Sequence, residues 1–145
     1  MTPSHRPLNG ISLPFKAIID QEMSALWDHT TRQVCAANDL YSAKKEVDQG
    51  IMAFVILLYA QTGSLQGAVD AVVEDIRRAG EDLEAAAARL RQKYAAEPEV
   101  VAELDKFIFT CQCFCTSNNT WSLYSERYGM GKMKWIDGAG LELQM

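Results

Sequence analysis

The stretch "PFKAIIDQEMSALWDHTTRQVCAANDLYSAKKEV", residues 14–47, decides the fold class. Its apolar residues recur at mixed spacings of three and four, at Ile18, Ile19, Met23, Leu26, Trp27, Val34 and Leu40. This period is typical of an amphipathic helix, and no glycine or internal proline interrupts it. Pro14 suits the first turn of a helix, where its missing N–H costs nothing. We therefore predict one long helix from about residue 14 to residue 47.

The segments that follow continue the helical pattern. Gly50 marks a break, and the run at 51–62 is so uniformly apolar that it predicts a helix buried on most sides. Ser64 is a suitable N-cap for a helical stretch over 65–94, in which acidic and basic residues are interleaved. Gly80 is expected to divide that stretch into two helices.

The last long helix is expected to begin at Pro98 and to end at about Tyr128. Its apolar residues share one broad face: Val100, Val101, Leu104, Phe107, Ile108 and Cys111. The sequence contains no convincing strand and no internal repeat, so the predicted fold is all-α. The predicted organisation is an irregular lead-in at 1–13, a helical domain at 14–128 and a tail at 129–145.

Composition places the chain among single-domain globular proteins. It has 145 residues, 48% of them hydrophobic, which is enough for a core. The net charge of -5 argues against a nucleic-acid partner. The most apolar run, at 51–60, is about half the length that crosses a bilayer, so no membrane span is expected. Four cysteines without an apolar leader favour a cytoplasmic protein with free thiols.

Three polar residues in "NDLYSAKKE", residues 38–46, repeat at a helical interval. Asn38, Ser42 and Glu46 are each four residues from the last, so they lie on one stripe of a helix. An amide carbonyl, a hydroxyl and a carboxylate are the oxygen ligands that a hard divalent cation takes. The alternative is an ordinary stripe of residues that face solvent.

The same nine residues resemble the second metal-binding motif of class I terpene synthases. That motif reads Asn-Asp, a hydrophobic residue, any residue, Ser or Thr, three residues and Glu, and every specified position matches. The resemblance implies that Asn38, Ser42 and Glu46 ligate one Mg²⁺, which bridges to the diphosphate of the substrate. Lys45 also matches a frequent choice of the family, and by resemblance it contacts the diphosphate directly.

A second stretch, "WSLYSERY" at 121–128, is similar to the C-terminal signature of the same family, a Trp followed by five residues and Arg-Tyr. The resemblance implies that Arg127 and Tyr128 donate hydrogen bonds to the diphosphate, and that Trp121 presents its ring to a carbocation. The alternatives are core packing for Trp121 and a surface cation for Arg127. Both motifs occur in the family's order, so the chain resembles the C-terminal portion of a microbial sesquiterpene cyclase.

The chain departs from this family in its acidic residues. The aspartate-rich motif Asp-Asp-x-x-Asp is missing, and the pairs at 74–75 and 81–82 follow the Asn-Ser-Glu segment instead of preceding it. Those pairs are expected on a solvated helix face. Without the helices that precede this portion in the family, an apolar face would stay exposed. Such a face predicts a homo-oligomer or a partner chain that covers it.

The cysteine run at 111–115 does not suit a metal site. On a helix Cys111 and Cys115 share a face while Cys113 points away, so the three thiolates would not converge on one ion. We expect buried structural thiols.

Two functions follow from these observations. The first is an Mg²⁺-dependent terpene cyclase, or the C-terminal part of one, which ionises and cyclises an isoprenyl diphosphate such as farnesyl diphosphate and releases diphosphate. The second is a catalytically inactive, truncated helical protein that acts through a protein partner. A generic helical interaction module would require both motif matches to be coincidences.

Overall fold

Five helices and one pair of short strands make up the part of the chain that the structure describes. The computed structural model of the protein describes residues 10–50, 54–127, 135–136 and 140–141. The helices are α1 (Phe15–Ile18), α2 (Gln21–Asp48), α3 (Phe54–Thr62), α4 (Leu65–Lys93) and α5 (Pro98–Tyr124). Strands β1 (Trp135–Ile136) and β2 (Gly140–Leu141) form an antiparallel pair. The all-α fold is confirmed, and the strand pair was not predicted because two-residue strands leave no readable alternation.

The first predicted helix is broken in the structure, and Asp20 is the reason. One oxygen of its carboxylate, Oδ1, accepts the backbone N–H of Glu22 at 2.9 Å, which caps the first turn of α2. The other oxygen, Oδ2, accepts the Tyr94 hydroxyl at 2.9 Å and lies 2.5 Å from the Lys93 ammonium. An aspartate with such partners is stabilised as an N-cap and not as a helix-interior residue. The prediction of one unbroken helix was therefore wrong.

Helix α2 is the central element, and α4 packs against it in the antiparallel direction. Near the start of α2, Glu22 Oε2 accepts from Arg89 Nε at 2.7 Å, close to the end of α4. Farther along α2, Arg32 pairs with Asp75, in the first half of α4.

Helix α5 packs on α2 in the parallel direction. Lys16, just before α2, pairs with Glu97, just before α5, at 2.6 Å. Farther along, the two helices still lie side by side, because the Thr30 carbonyl of α2 is 4.0 Å from the Cys115 thiol of α5. This parallel pair later determines which residues of the two sequence motifs share one end of the bundle.

The buried apolar residues form two clusters along α2. The first joins α1, α2, α4 and α5: Ala17, Met23, Leu26, Leu83, Ala86, Ala87, Leu90, Tyr94, Leu104, Ile108, Cys111 and Cys115. The second joins α2, α3 and α4: Ala36, Leu40, Ala43, Val55, Ala68, Val69 and Val72. The predicted apolar face of the last helix is confirmed, because Leu104, Ile108 and Cys111 are buried and Phe107 packs beside them.

Other helix predictions had mixed outcomes. Gly50 adopts a positive φ of 68°, as expected for a break, and Ser64 caps α4 by accepting the Gly67 N–H at 3.0 Å. Gly80 does not divide the following stretch, because α4 continues through it. A Cβ at that position would meet only Gln33 Nε2, the flexible end of a side chain, at 3.4 Å, so the packing of α2 on α4 does not require the glycine.

Helix α3 is not buried on most sides, contrary to the prediction. Of its described side chains only Val55 is buried, while Phe54, Leu57 and Tyr59 are exposed. One side of this helix packs on α2 and α4, and uniform apolarity does not indicate how many sides have neighbours. Helix α5 ends at Tyr124, earlier than predicted, because Ser125 leaves the helical conformation.

Candidate metal and diphosphate site

Asn38, Ser42 and Glu46 all lie on α2, as the sequence predicted. Ser42 is buried, Glu46 is half-buried and Asn38 is exposed, so the stripe is covered by neighbouring atoms at its middle and open to solvent at Asn38. The Ser42 hydroxyl donates to the Asp39 carbonyl at 3.5 Å, which is a long hydrogen bond. Its oxygen therefore keeps lone pairs for another contact. The three residues span about 12 Å of helix axis, so the outer two side chains must reach toward Ser42.

A second carboxylate, that of Asp39, lies next to this stripe. Asp39 is half-buried beside Asn38, and its burial raises the pKa of its carboxyl group. The negative charge of Glu46 raises the same pKa further.

The cationic residues assigned from the motifs occupy different elements. Lys45 is exposed on α2, seven residues after Asn38 and therefore on nearly the same stripe. Arg127 is exposed in the turn after α5, not on the helix as the sequence suggested. Trp121, in the last turn of α5, is 53% exposed, so core packing does not account for its position. Tyr128 lies outside the described residues.

The parallel packing of α2 and α5 brings the two motifs to one end of the helix pair. From the contact between Thr30 and Cys115, Asn38 lies eight residues onward on α2, or about 12 Å. Trp121 lies six residues onward on α5, or about 9 Å. Arg127 follows three residues after the end of α5. The spacing within each motif can be read from the sequence, whereas the direction of the helices relates one motif to the other.

Comparison with known proteins gives the family. Residues 4–82 match the profile of the family described as "Terpene synthase family 2, C-terminal metal binding". These residues make up more than half of the chain and include the whole stretch from Asn38 to Glu46. The chain belongs to this terpene synthase family. The second motif, at 121–128, lies outside the residues that the profile matches.

A curated relative of this terpene synthase chain is the sesquiterpene cyclase hepA of Aspergillus oryzae. It is 31% identical over 128 residues, which cover 86% of the chain but 35% of the relative. The chain thus spans about a third of the length of that relative. No solved structure matches the present chain. Among the described helices of this chain, none combines the length and apolarity needed to cross a membrane.

Sequence reasoning missed a group of buried polar atoms in the terpene synthase chain. Along one side of α5 and its C-cap, Asn118 Nδ2, Ser122 Oγ and Ser125 Oγ are buried, and within the described part of the chain they have no hydrogen-bond partner. Ser122 is 0% exposed. Buried polar atoms are normally satisfied by protein, water or ligand. The available signal was the interval from Asn118 to Ser122, which equals that from Asn38 to Ser42.

The described residues contain no group of three or more His, Cys, Asp or Glu side chains that could hold a metal ion. The acidic pairs on α4 form ion pairs instead: Glu74 with Arg77 and Arg78 at 2.7 and 2.8 Å, and Asp75 with Arg32. These contacts agree with the solvated face expected for them, and they offer no substitute for the missing aspartate-rich motif.

The cysteines also behave mainly as expected. Cys111 and Cys115 are buried, and burial raises the pKa of both thiols, so they stay protonated at neutral pH. Cys113 is only half-buried and Cys35 is exposed.

A cleft of about 670 Å³ lies between α4 and α5, on the side of the α2–α5 contact that faces α4. Its charged residues are paired within the protein, since Gln112 donates to Glu84 at 2.6 Å and Arg77 pairs with Glu81. None of the motif residues lines this cleft. It is therefore separate from the candidate metal and diphosphate site.

Proposed function

We propose that this terpene synthase chain forms the C-terminal part of an Mg²⁺-dependent cyclase site that acts on an isoprenyl diphosphate such as farnesyl diphosphate. The observation that carries the proposal is the parallel packing of α2 and α5, fixed by the contact between Thr30 and Cys115. It directs the Asn38–Glu46 stripe and the segment from Trp121 to Arg127 to the same end of the bundle. The name of the Aspergillus oryzae relative supports a substrate of the sesquiterpene class.

The oxygen donors of α2 fit a magnesium ion. Mg²⁺ takes few protein oxygens and completes its shell with water and phosphate oxygens, and Asn38, Ser42 and Glu46 supply one neutral amide, one hydroxyl and one carboxylate. The long hydrogen bond of Ser42 leaves its oxygen able to take part. When bound, Mg²⁺ would neutralise the charge that develops on the departing diphosphate.

The remaining residues of the proposal bind the diphosphate and face the carbocation. Lys45 contributes a point charge, and Arg127 a planar set of donors that suits two phosphate oxygens at once. Tyr128 is proposed as a further donor. Trp121, with half of its surface exposed, offers a ring face on which positive charge in the hydrocarbon is stabilised.

Isothermal titration calorimetry with Mg²⁺ and inorganic pyrophosphate tests the proposal on the purified chain. We expect Glu46→Gln to weaken binding at least about tenfold, because a charged ligand contributes more than a neutral hydrogen bond. Asp28→Asn, an exposed change on the same helix, serves as the matched control and should not alter affinity. Equal affinities for the parent, Asn38→Ala and Glu46→Gln would contradict the assignment.

Product formation is a separate question. The chain is incubated with farnesyl diphosphate and Mg²⁺, and the organic extract is analysed by gas chromatography with mass detection. A terpene that disappears with Glu46→Ala supports catalysis by this chain. Binding without product supports a site that needs residues beyond this chain, which spans 35% of its relative.

A second candidate function is that of an inactive helical protein with a protein partner. It is favoured by large apolar side chains that are exposed on several helices, among them Phe54, Leu57, Phe109 and Tyr124. Such side chains promote association with a second copy or a partner chain. Size-exclusion chromatography with light scattering tests this candidate. A monomer at every concentration, together with pyrophosphate binding, would argue against it.

A further inference from the structure

The second half of α5 presents a side to solvent that carries no charged residue. Residues 107–125 include no Asp, Glu, Lys or Arg, and all but the last of them belong to the helix, over about five turns. An exposed side of a helix in a soluble protein normally carries charged residues. An uncharged and partly aromatic side of this length is typical of a surface that another molecule covers.

This exposed side of α5 has small side chains in its middle and a large ring at each end. Five residues recur at alternating steps of three and four and therefore lie in one row, opposite the buried residues of the helix: Thr110, Cys113, Ser117, Thr120 and Tyr124. Cys113 is half-buried and the other four are exposed, with Tyr124 at 85%. Phe109, which is 65% exposed, borders the row at its other end. These six residues are called the α5 face below.

The charges at the two ends of the uncharged run determine how a second copy can lie on it. Asp105 and Lys106 precede the run, and Glu126 and Arg127 follow it, so each end reads negative and then positive. In a parallel pair of α5 helices, each charge would lie level with its own copy. In an antiparallel pair centred on residue 116, Lys106 is level with Glu126 of the second copy, and the symmetry repeats this contact. Opposite charges therefore favour the antiparallel direction, and Lys106 and Glu126 suffice to select it.

Lys106 and Glu126 are both accessible to a second copy. Lys106 pairs with Glu103 of its own chain at 2.5 Å, but its side chain is 55% exposed. Its ammonium group has three donors, so one pair within the chain leaves donors for another carboxylate. Glu126 is exposed in the turn that follows α5.

We propose that the α5 face binds a second copy of this chain, antiparallel about a two-fold axis near residue 116. The same surface then serves both copies. Phe109 comes level with residue 123 of the second copy, within about 2 Å of Tyr124 along the helix axis. The small side chains between the rings allow the helix axes to approach to about 8–10 Å. The inference does not rest on the proposed metal and diphosphate site, because no residue assigned to that site belongs to the α5 face.

The size of the α5 face predicts a weak dimer. A covered aromatic side chain buries about 150–250 Å², so the exposed parts of Phe109 and Tyr124 together supply roughly 300 Å². The small residues between them bring the face to roughly 500 Å² per copy, or about 1,000 Å² in all, which is near the lower limit of a specific interface. We therefore expect a monomer–dimer equilibrium with a Kd of about 1–100 μM.

Sedimentation equilibrium of the full chain measures this association, and Ser117→Glu tests the α5 face. Ser117 is one residue from the proposed axis, so the substitution places two like charges close together in the dimer. We expect the Kd to rise at least about thirtyfold. Ser24→Glu, the same change at an exposed serine of α2, is the matched control and should leave the Kd within about twofold of the parent.

Exchange of the end charges tests the antiparallel direction. Lys106→Glu and Glu126→Lys each place like charges level with one another at both ends of the interface, so each should raise the Kd at least about threefold. The double variant restores opposite charges and should return the Kd to within about twofold of the parent.

Disulfide cross-linking tests the interface independently of the charged variants. Facing Cα atoms of two helices whose axes are 8–10 Å apart lie roughly 4–6 Å from each other, which a disulfide can span. In a Cys35→Ser background, which removes an exposed thiol, Ser117→Cys treated with diamide should give a covalent dimer through Cys113 of the second copy. Ser24→Cys in the same background should stay monomeric on a non-reducing gel.

Three results would overturn the proposal. The first is a parent chain that stays monomeric at concentrations up to about 1 mM, tenfold above the weakest Kd expected. The second is a dimer that Ser117→Glu leaves intact and that Leu57→Glu, on the exposed side of α3, dissociates, because the interface would then lie on α3. The third is a double charge exchange that fails to restore association, together with no cross-link from Ser117→Cys. Circular dichroism verifies that every variant keeps the parental helix content, as expected for exposed positions.

Discussion

Replacing Asp20 should destabilise the protein more than replacing any exposed acidic residue that forms a salt bridge. The Asp20 side chain is 2% exposed and accepts from the Glu22 N–H, the Tyr94 hydroxyl and the Lys93 ammonium. It thus joins the start of α2 to the end of α4. An alanine would remove the cap and leave the Tyr94 hydroxyl with only its longer bond of 3.3 Å to the Lys16 carbonyl.

The magnitude follows from the two hydrogen bonds. Loss of an N-cap costs about 1 kcal/mol, and loss of a hydrogen bond to a charged group about 1.5–3 kcal/mol. Asp20→Ala should therefore lower the free energy of unfolding by about 2–4 kcal/mol. Asparagine caps a helix as well as aspartate does. Asp20→Asn should therefore lose only the extra stability that the negative charge gives to the hydrogen bonds, about 1–2 kcal/mol. The Lys93 ammonium is more than half exposed and adds little to these figures.

The stabilisation that the Asp20 carboxylate provides should be lost toward acidic pH. Burial raises the pKa of Asp20, but hydrogen bonds from Lys93, the Glu22 N–H and Tyr94 outweigh it, so the pKa in the folded protein lies below the ordinary 3.8. The ionised carboxylate therefore stabilises the fold above pH 3.8, and this contribution is lost as the pH falls through the lower, folded pKa. The difference between the parent and Asp20→Asn should close at acidic pH.

Urea unfolding followed by circular dichroism at neutral and acidic pH measures these differences. Asp105→Asn, which breaks the exposed pair with Arg91, is the control and should change stability by less than about 1 kcal/mol. The reasoning is refuted if Asp20→Ala is no more destabilising than Asp105→Asn. It is also refuted if the difference between the parent and Asp20→Asn persists below the folded pKa.

Three further changes test the packing. Ser122→Ala removes a buried hydroxyl without a described partner, so thermal unfolding should show unchanged stability or a gain of about 1 kcal/mol, and a clear loss would reveal a partner. Leu90→Ala empties a fully buried position and should cost about 2–5 kcal/mol in urea unfolding, whereas the exposed Leu57→Ala should cost less than about 1 kcal/mol. Gly80→Ala should add about 0.5–1 kcal/mol through helix propensity, because the new Cβ meets only the flexible end of Gln33; destabilisation would mean that α2 and α4 cannot adjust.

The helices were predictable because apolar spacing and capping residues act locally. Ser64 and Pro98 mark helix starts by their own chemistry, and both are where the sequence placed them. Asp20 acts as a cap partly because Tyr94, far away in the chain, donates to it. Local periodicity carries no sign of that contact, so the break between α1 and α2 was missed.

The candidate site was predictable only within each motif. The four-residue steps from Asn38 to Glu46 define a stripe on any helix, and the structure places them on α2. Whether Trp121 approaches that stripe depends on the relative direction of α2 and α5, which no short pattern encodes.

The parallel arrangement of α2 and α5 also determines the electrostatic character of the end of the bundle that bears the motifs. Each helix carries about half a negative charge at its C-terminus, and α2 and α5 both direct their C-termini, at Asp48 and Tyr124, toward this end. These two peptide dipoles favour a cation and disfavour an anion, and Arg127 lies just past one of them. At a site that binds Mg²⁺ and a diphosphate as proposed, the backbone potential would therefore favour the cation and oppose the diphosphate until the cation is bound.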